Sequence, residues 1–180
     1  MEFVAVIEIP KGTRNKYEID HATGLVWLDR QLSTATQYPA DYGFIEGTLA
    51  EDGDPLDVLV LLDEPTFPGC HIHSRAVALF RMEDENGADA KVLAVPATDA
   101  RWAGLRDLDD VAAHRRDEIR HFFDVYKELE PGKSTTTVGW DGAAAAEAEI
   151  TESMRRLAAR PHPAGRAPGK VASSGSARHH

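Results

Sequence analysis

The sequence is poor in cysteine, in long apolar runs and in basic residues. Its 180 residues include one cysteine, Cys70, so no disulfide can form within the chain and a reducing cytoplasm is the expected compartment. No run of about 18 apolar residues occurs, so we expect no membrane-spanning helix and no membrane partner. The N-terminal segment Met1-Glu2-Phe3-Val4 lacks the basic region that begins a secretory signal, so no such signal is expected.

The shortage of basic residues limits the kinds of partner. Lysine and arginine number 20 against 30 acidic residues, which gives a formal net charge of -10. Binding to nucleic acid depends on basic contacts with phosphates, so no nucleic-acid partner is expected. An acidic protein can still bind a phosphate group if metal ions lie between the two.

The composition also suggests how the chain is divided. Apolar residues make up 42%, which is typical of a folded domain, and the length suits one domain with a substantial core. After Arg160 the residues are mainly proline, glycine, alanine, serine and arginine. We therefore predict one folded domain over residues 1–160 and a disordered tail over residues 161–180.

The apolar pattern predicts short strands followed by helices. Strands are expected over residues 3–9, 16–19, 25–28, 57–62, 72–82 and 91–95. Ala22-Thr23-Gly24 and Asn86-Gly87 are typical of hairpin turns between them. Many short strands joined by turns favour a closed barrel or a sandwich.

Helical spacing appears only in the last third of the chain. One helix is predicted from a cap at Asp109-Asp110 to about residue 129, ended by Pro131-Gly132. A second is predicted over residues 142–159. The apolar residues at helical spacing are Ile119, Phe122, Phe123 and Tyr126 in the first, and Ile150, Met154 and Leu157 in the second.

The segment Asp52-Gly53-Asp54-Pro55-Leu56-Asp57 is the strongest chemical pattern. Its three carboxylates within six residues precede an apolar strand, and like charges this close resist ionising together. A hard divalent cation with oxygen ligands would offset the repulsion, so the segment predicts a Mg²⁺-type site. The alternative is a polar turn, since aspartate and glycine are common turn residues.

Other polar residues lie at predicted strand ends and turns. For each one alone, a solvent-facing or packing role is the simpler explanation, but together they could form a polyanion site. In such a site carboxylates hold metal ions, while cations and phenols contact the anion. The candidates are Glu8, Asp52, Asp57, Asp84 and Asp89; Lys16, Arg30, Lys91 and Lys127; and Tyr38, Tyr42 and Tyr126.

These motifs resemble the soluble family I inorganic pyrophosphatases of bacteria, in particular those of actinobacteria. The family pattern of Asp, small residue, Asp, Pro, apolar residue, Asp, apolar residue fits residues 52–58 at every position. The resemblance covers about residues 1–155. The other matching motifs are Ile7-Glu8-Ile9-Pro10-Lys11-Gly12, Asn15-Lys16-Tyr17-Glu18, Tyr38-Pro39, Asp41-Tyr42-Gly43-Phe44-Ile45, His121-Phe122-Phe123 and Tyr126-Lys127.

The resemblance implies a fold, a reaction and an assembly. The fold would be α+β and mainly β: a five-stranded OB-type barrel with two longer helices packed beside it. The reaction would be Mg²⁺-dependent hydrolysis of pyrophosphate to two phosphates by a metal-activated water. Mn²⁺ or Zn²⁺ could replace Mg²⁺, and Ca²⁺ is expected to inhibit. The chain is expected to assemble as a homohexamer.

The resemblance also implies roles for individual residues. Asp52, Asp57 and Asp89 would hold the first metal ions, and Glu8 and Asp84 would help to bind those that arrive with substrate. Asp54 would be the general base, with Asp89 as the alternative. Tyr38 and Glu18 would shape the pocket rim. The residues expected to contact phosphate are Lys16, Arg30, Tyr42, Lys91, Tyr126 and Lys127.

Three other functions stay open from the sequence. A calcium-binding module is one, although the flanks are strands and the bidentate glutamate of an EF-hand is missing. A nucleic-acid-binding barrel is another, which would require a basic groove with stacking aromatic residues. The third is a phosphatase that acts on nucleotides or other polyphosphates.

Overall fold

The computed structural model describes residues 1–160, so the tail predicted over residues 161–180 lies outside the described residues. The helices are α1 (Ala113–Val125) and α2 (Ala143–Ala158), with short 3-10 helices at Ala100–Trp102 and Leu108–Asp110. No helix within residues 1–160 is long and apolar enough to cross a membrane. The strands are β1 (Glu2–Ile9), β2 (Asn15–Ile19), β3 (Val26–Gln31), β4 (Asp41–Ile45), β5 (Asp57–Val60), β6 (His71–Asp84), β7 (Gly87–Pro96) and β8 (Thr135–Gly142).

Five strands form a closed barrel, which confirms the predicted architecture. They hydrogen-bond in the order β1, β4, β5, β7, β6, and β6 returns to pair with β1. Only the β5–β7 pair of this ring is parallel. The long strand β6 pairs with β1 through its first half and with β8 through its second half. The β2–β3 hairpin forms a separate two-stranded sheet.

Both helices bury one apolar face against the barrel. Ile119 and Phe122 of α1 join a core cluster that includes Phe80, and Ile150 of α2 joins a second cluster. This confirms the predicted apolar stripes, except that Leu157 is 37% exposed. The helices therefore cover the barrel and leave the ends of several strands open for a site.

Two strands and both ends of the first helix differ from the prediction. Residues 41–45 form β4 and residues 135–142 form β8, where no strand was expected. Helix α1 begins at Ala113 because Asp110 instead completes a capping box with Asp107 on the preceding 3-10 helix. It ends at Val125 because the chain continues in tighter turns, with the Glu128 amide donating to the Val125 carbonyl.

Asp107 links the start of α2 to this 3-10 helix. Its Oδ1 accepts hydrogen bonds from the amides of Leu108 (2.8 Å) and Ala143 (2.7 Å). Gly142, the N-cap of α2, has no side chain with which to cap, and a Cβ there would lie 2.5 Å from the same oxygen. Asp107 therefore caps the N-termini of two helices, the 3-10 helix at Leu108–Asp110 and α2.

We expect Asp107→Ala to lower the Tm by a few degrees, because it leaves two helix-end amides without their acceptor. Asp107→Asn should retain most of the stability, since an asparagine oxygen can accept the same bonds. Asp109→Ala removes an exposed aspartate from the same 3-10 helix and serves as the control. Calorimetry that showed equal Tm values for Asp107→Ala and Asp109→Ala would contradict this role.

Candidate active site

An open cavity of about 430 Å³ lies where the strand ends meet the β2–β3 hairpin and the segment after α1. Every site residue predicted from the sequence lines it except Tyr38. Strands β1 to β7 each contribute, so residues far apart in the chain share one cavity. The predicted residues along its wall are Glu8, Lys16, Glu18, Arg30, Tyr42, Asp52, Asp54, Asp57, Asp84, Asp89, Lys91, Tyr126 and Lys127.

Lys91 lies at the centre of the carboxylates. Its Nζ donates to Asp57 Oδ2 at 2.7 Å, to both oxygens of Asp89 at 3.0 Å, and to the Tyr42 hydroxyl at 3.1 Å. Its side chain is only 2% exposed. Burial alone would lower the pKa of Lys91, but Asp57 and Asp89 outweigh it and raise that pKa well above its usual value. The ammonium therefore stays charged and keeps the two carboxylates together.

Glu8 lies at a β-bulge, since the pairing of β1 with β4 shifts between Ile7 and Ile9. Its carboxylate accepts a hydrogen bond from the Ile19 amide at 2.8 Å. Burial, with a contribution from nearby Asp57, raises the pKa of Glu8 to about 7. A carboxyl group in this position would gain a large electrostatic stabilisation from an added cation.

Lys127 and Asp84 form a second ion pair at the cavity, beside the β6–β7 turn. The Lys127 Nζ lies 3.0 Å from Asp84 Oδ2 and 3.5 Å from Glu85 Oε2. Burial opposes ionisation of Asp84, but the Asn86 amide and Lys127 together lower its pKa below the usual value. Asp84 therefore stays ionised beside the cavity.

Lys16 and Arg30 extend from the hairpin and are held by acids. Lys16 Nζ bonds Glu18, and it lies 3.1 Å from Asp29 Oδ2. Arg30 donates from Nη1 to Asp29 at 2.5 Å and from Nε to Glu130 at 2.9 Å. Its Nη2 is buried and has no hydrogen-bond partner within residues 1–160.

Tyr38 does not lie at the pocket rim. Its side chain is 2% exposed and belongs to the core, with its ring centroid 5.4 Å from that of Tyr42 and 4.7 Å from that of Phe122. Apolar packing against α1 holds it behind Tyr42. Tyr38 can therefore support the cavity wall, whereas Tyr126 lines the wall itself.

The structure adds residues that sequence patterns did not identify as site residues. Glu85, Asn86 and Lys133 line the cavity in turns, where no periodicity marks them. Asp29 and Glu130 contact the predicted cations from outside it. His21 differs from these residues, because the family resemblance implied that a histidine at this position could lie near the metals; it lines the cavity, with its ring 4.8 Å from that of Phe44.

A second cavity, of about 200 Å³, shares Asp52, Asp57 and Asp89 with the first. Its other walls include the apolar residues Leu56 and Val138. Arg81 lines it too, but its Nε donates to Asp141. The larger cavity is therefore the better site for a small polyanion, because it presents several cations together.

The donor chemistry of the larger cavity fits a hard divalent cation. The acidic side chains along its wall are all carboxylates, which supply the oxygen donors that a hard cation prefers, and no cysteine or methionine lines it. No three histidine, cysteine, aspartate or glutamate side chains of residues 1–160 form a ready-made metal cluster. One reason for the absence of a compact cluster is that Lys91 lies between Asp57 and Asp89. The other is that Asp52 and Asp54 are exposed on the preceding turn.

Comparison with known proteins agrees with this chemistry. The model of the inorganic pyrophosphatase family matches residues 5–158. A Streptomyces coelicolor protein named inorganic pyrophosphatase is 62% identical over 157 residues, which is 87% of this chain and 96% of that protein. One from Leifsonia xyli is 56% identical over the same shares.

Solved structures show the same fold. The crystal structure of inorganic pyrophosphatase from Thermus thermophilus superposes with a TM-score of 0.85 at 47% identity, over 87% of this chain and 91% of that one. A structure of the Coxiella burnetii protein gives a TM-score of 0.84 at 43% identity, over 87% and 95%. The barrel is therefore of the OB type found in these proteins.

Proposed function

The chain belongs to the inorganic pyrophosphatase family and hydrolyses pyrophosphate to two phosphates; we propose that the cavity around Lys91 is its active site and that Mg²⁺ is its metal. The observation that carries this proposal is the layout of charge in that cavity. Carboxylates gather around Asp57 and Asp89, and Arg30, Lys16 and Lys127 line the same cavity. Pyrophosphate needs both, because it is a polyanion that repels an incoming nucleophile.

The basic residues and phenols would bind the two phosphoryl groups. Arg30 lines the cavity and has a buried Nη2 without a partner in residues 1–160, and Lys127 and Lys16 each have an ammonium group. Tyr42 and Tyr126 can donate hydrogen bonds without adding charge. Lys91 would orient Tyr42 and the carboxylates, and its ammonium group would contact the substrate. The fold sets the positions of these donors before substrate arrives, which is how electrostatic preorganisation lowers a barrier.

The carboxylates would hold the metal ions. We assign Asp52, Asp57 and Asp89 to the first ions and Glu8 and Asp84 to those that come with substrate. When bound, Mg²⁺ would neutralise phosphate charge and lower the pKa of a water molecule. The family is metal-dependent, and oxygen donors suit Mg²⁺. Mn²⁺ or Zn²⁺ could substitute, and Ca²⁺ should inhibit.

Asp54 is our assignment for the general base. Its carboxylate is exposed toward the cavity and makes no ion pair with any other residue of the described range. Both oxygens of Asp89, in contrast, accept hydrogen bonds from Lys91, and we assign Asp89 to metal binding. Asp89 remains the alternative base. Glu18 would hold Lys16 at the rim, and Tyr38 would support Tyr42 from the core.

We further propose that the enzyme works in the cytoplasm as a homohexamer, on the grounds of its family and its single cysteine. Light scattering coupled to gel filtration measures the assembly directly. A monomeric and fully active protein would rule out the hexamer without affecting the assignment of the active site.

Phosphate release from three substrates tests the function. With Mg²⁺ we expect rapid release from pyrophosphate and much slower release from tripolyphosphate and ATP, because the chain belongs to the inorganic pyrophosphatase family. Replacing Mg²⁺ by Ca²⁺ should suppress turnover. A preference for ATP would favour a nucleotide phosphatase, and metal binding without any turnover would favour a calcium-binding module.

A further inference from the structure

Arg30 is held in an unusual way for a residue at a cavity wall. Two of its three guanidinium nitrogens are occupied: Nε by Glu130 at 2.9 Å and Nη1 by Asp29 at 2.5 Å. The third, Nη2, is buried and has no partner within residues 1–160. A buried donor without an acceptor is costly, so this nitrogen is suited to an anion that enters the cavity.

Glu130 is placed to fix the plane of this guanidinium. It lies 100 residues away in sequence, in the turn after α1, and its side chain is only 9% exposed. The Glu130 amide donates to the Lys127 carbonyl at 2.9 Å, so the same turn carries a second phosphate-binding candidate. A bond to Nε restricts rotation of the planar fork and so determines where Nη2 points.

From this geometry we infer that Glu130 is a positioning residue, which acts through Arg30 to aim Nη2 at one phosphoryl group of the substrate. The inference rests on the proposed role of Arg30 in binding pyrophosphate. An exposed ion pair would contribute little, but this pair is largely shielded from water. Glu130 also lies 3.3 Å from Lys133, so an effect through Lys133 is the competing explanation.

The test is a double-mutant cycle on kcat/KM for pyrophosphate. We expect Glu130→Ala to lower kcat/KM by about 10- to 100-fold, as loss of precise orientation commonly does. Glu130→Gln, which keeps an acceptor for Nε, should lose less. In an Arg30→Met background, Glu130→Ala should have almost no further effect. Inhibition by free phosphate should weaken in Glu130→Ala by a comparable factor, which a merely structural role would not produce.

Glu128→Ala is the matched control, since Glu128 is an exposed glutamate two residues earlier in the same turn. Equal activity of Glu130→Ala and Glu128→Ala would overturn the inference. The inference would also fail if the losses in Glu130→Ala and Arg30→Met were additive. It would fail, too, if Glu130→Ala were non-additive with Lys133→Met when that variant replaces Arg30→Met in the cycle. An Arg30→Met protein with normal kinetics would remove the proposed role of Arg30 itself, whereas wild-type protein inactive on pyrophosphate would overturn the proposed function.

Discussion

Replacing Asp57 by asparagine should lower pyrophosphate turnover by about two to three orders of magnitude, the range seen when a preorganised charge-stabilising group is lost. Asp57 accepts hydrogen bonds from Tyr42 (2.5 Å) and Lys91 (2.7 Å) on one oxygen, and it is a proposed metal ligand. Asparagine has nearly the same shape and retains an oxygen acceptor, so the fold should persist. What it removes is the negative charge that a hard cation requires.

Two measurements separate the loss of a metal ligand from a loss of structure. One is the dependence of turnover on Mg²⁺ concentration, which should shift to higher concentration in Asp57→Asn. The other is the rise in Tm on addition of Mg²⁺, which reports binding to the folded protein and should shrink. Asp63→Asn, which removes the same charge from an exposed position beyond β5, is the control. An active Asp57→Asn protein with a normal response to Mg²⁺ would show that the assignment is wrong.

Many residues of the cavity wall could be predicted from the sequence because they are charged residues at strand positions where apolar residues would be expected. Asp57 and Asp89 stand out at the start of apolar strands, and in a closed barrel β5 and β7 lie side by side. The fold was predictable for a similar reason: turn residues separate the strands, and helical spacing begins only near the end. Strand β4 was missed because Gly43 interrupts its apolar pattern, and β8 because threonine and glycine dominate it.

Positions that depend on tertiary contacts could not be predicted. The family resemblance implied a rim position for Tyr38, but its side chain packs against Phe122 in the core. Glu130 was one acid among many in a polar turn. Only the approach of β3 to that turn, across 100 residues, makes it a partner of Arg30. Such pairs are set by the path of the folded chain, and no local pattern contains them.

Gly43→Ala should cost more stability than alanine at any other glycine of residues 1–160. A Cβ at Gly43 would lie 1.9 Å from the Val6 carbonyl oxygen and 2.9 Å from the Ile7 Cα, both backbone atoms of β1. Side chains can rotate away from such a clash, but a paired strand inside a closed ring cannot move without breaking its ladder. We expect a loss of at least about 4 kcal/mol in the free energy of unfolding, or failure to fold.

Gly47→Ala provides the comparison that isolates the clash. Gly47 has a positive φ of 75°, and a Cβ added there would have no atom within 4 Å, so its cost is backbone strain alone, about 1–2 kcal/mol. The midpoints of urea unfolding should therefore differ clearly, and Gly43→Ala should unfold at a much lower urea concentration than Gly47→Ala. Gly43 lies between Tyr42 and Phe44, which both line the cavity, so any Gly43→Ala protein that folds should also lose activity. A Gly43→Ala midpoint equal to that of Gly47→Ala would show that β1 and β4 can separate, and that the barrel is not the rigid frame on which the site depends.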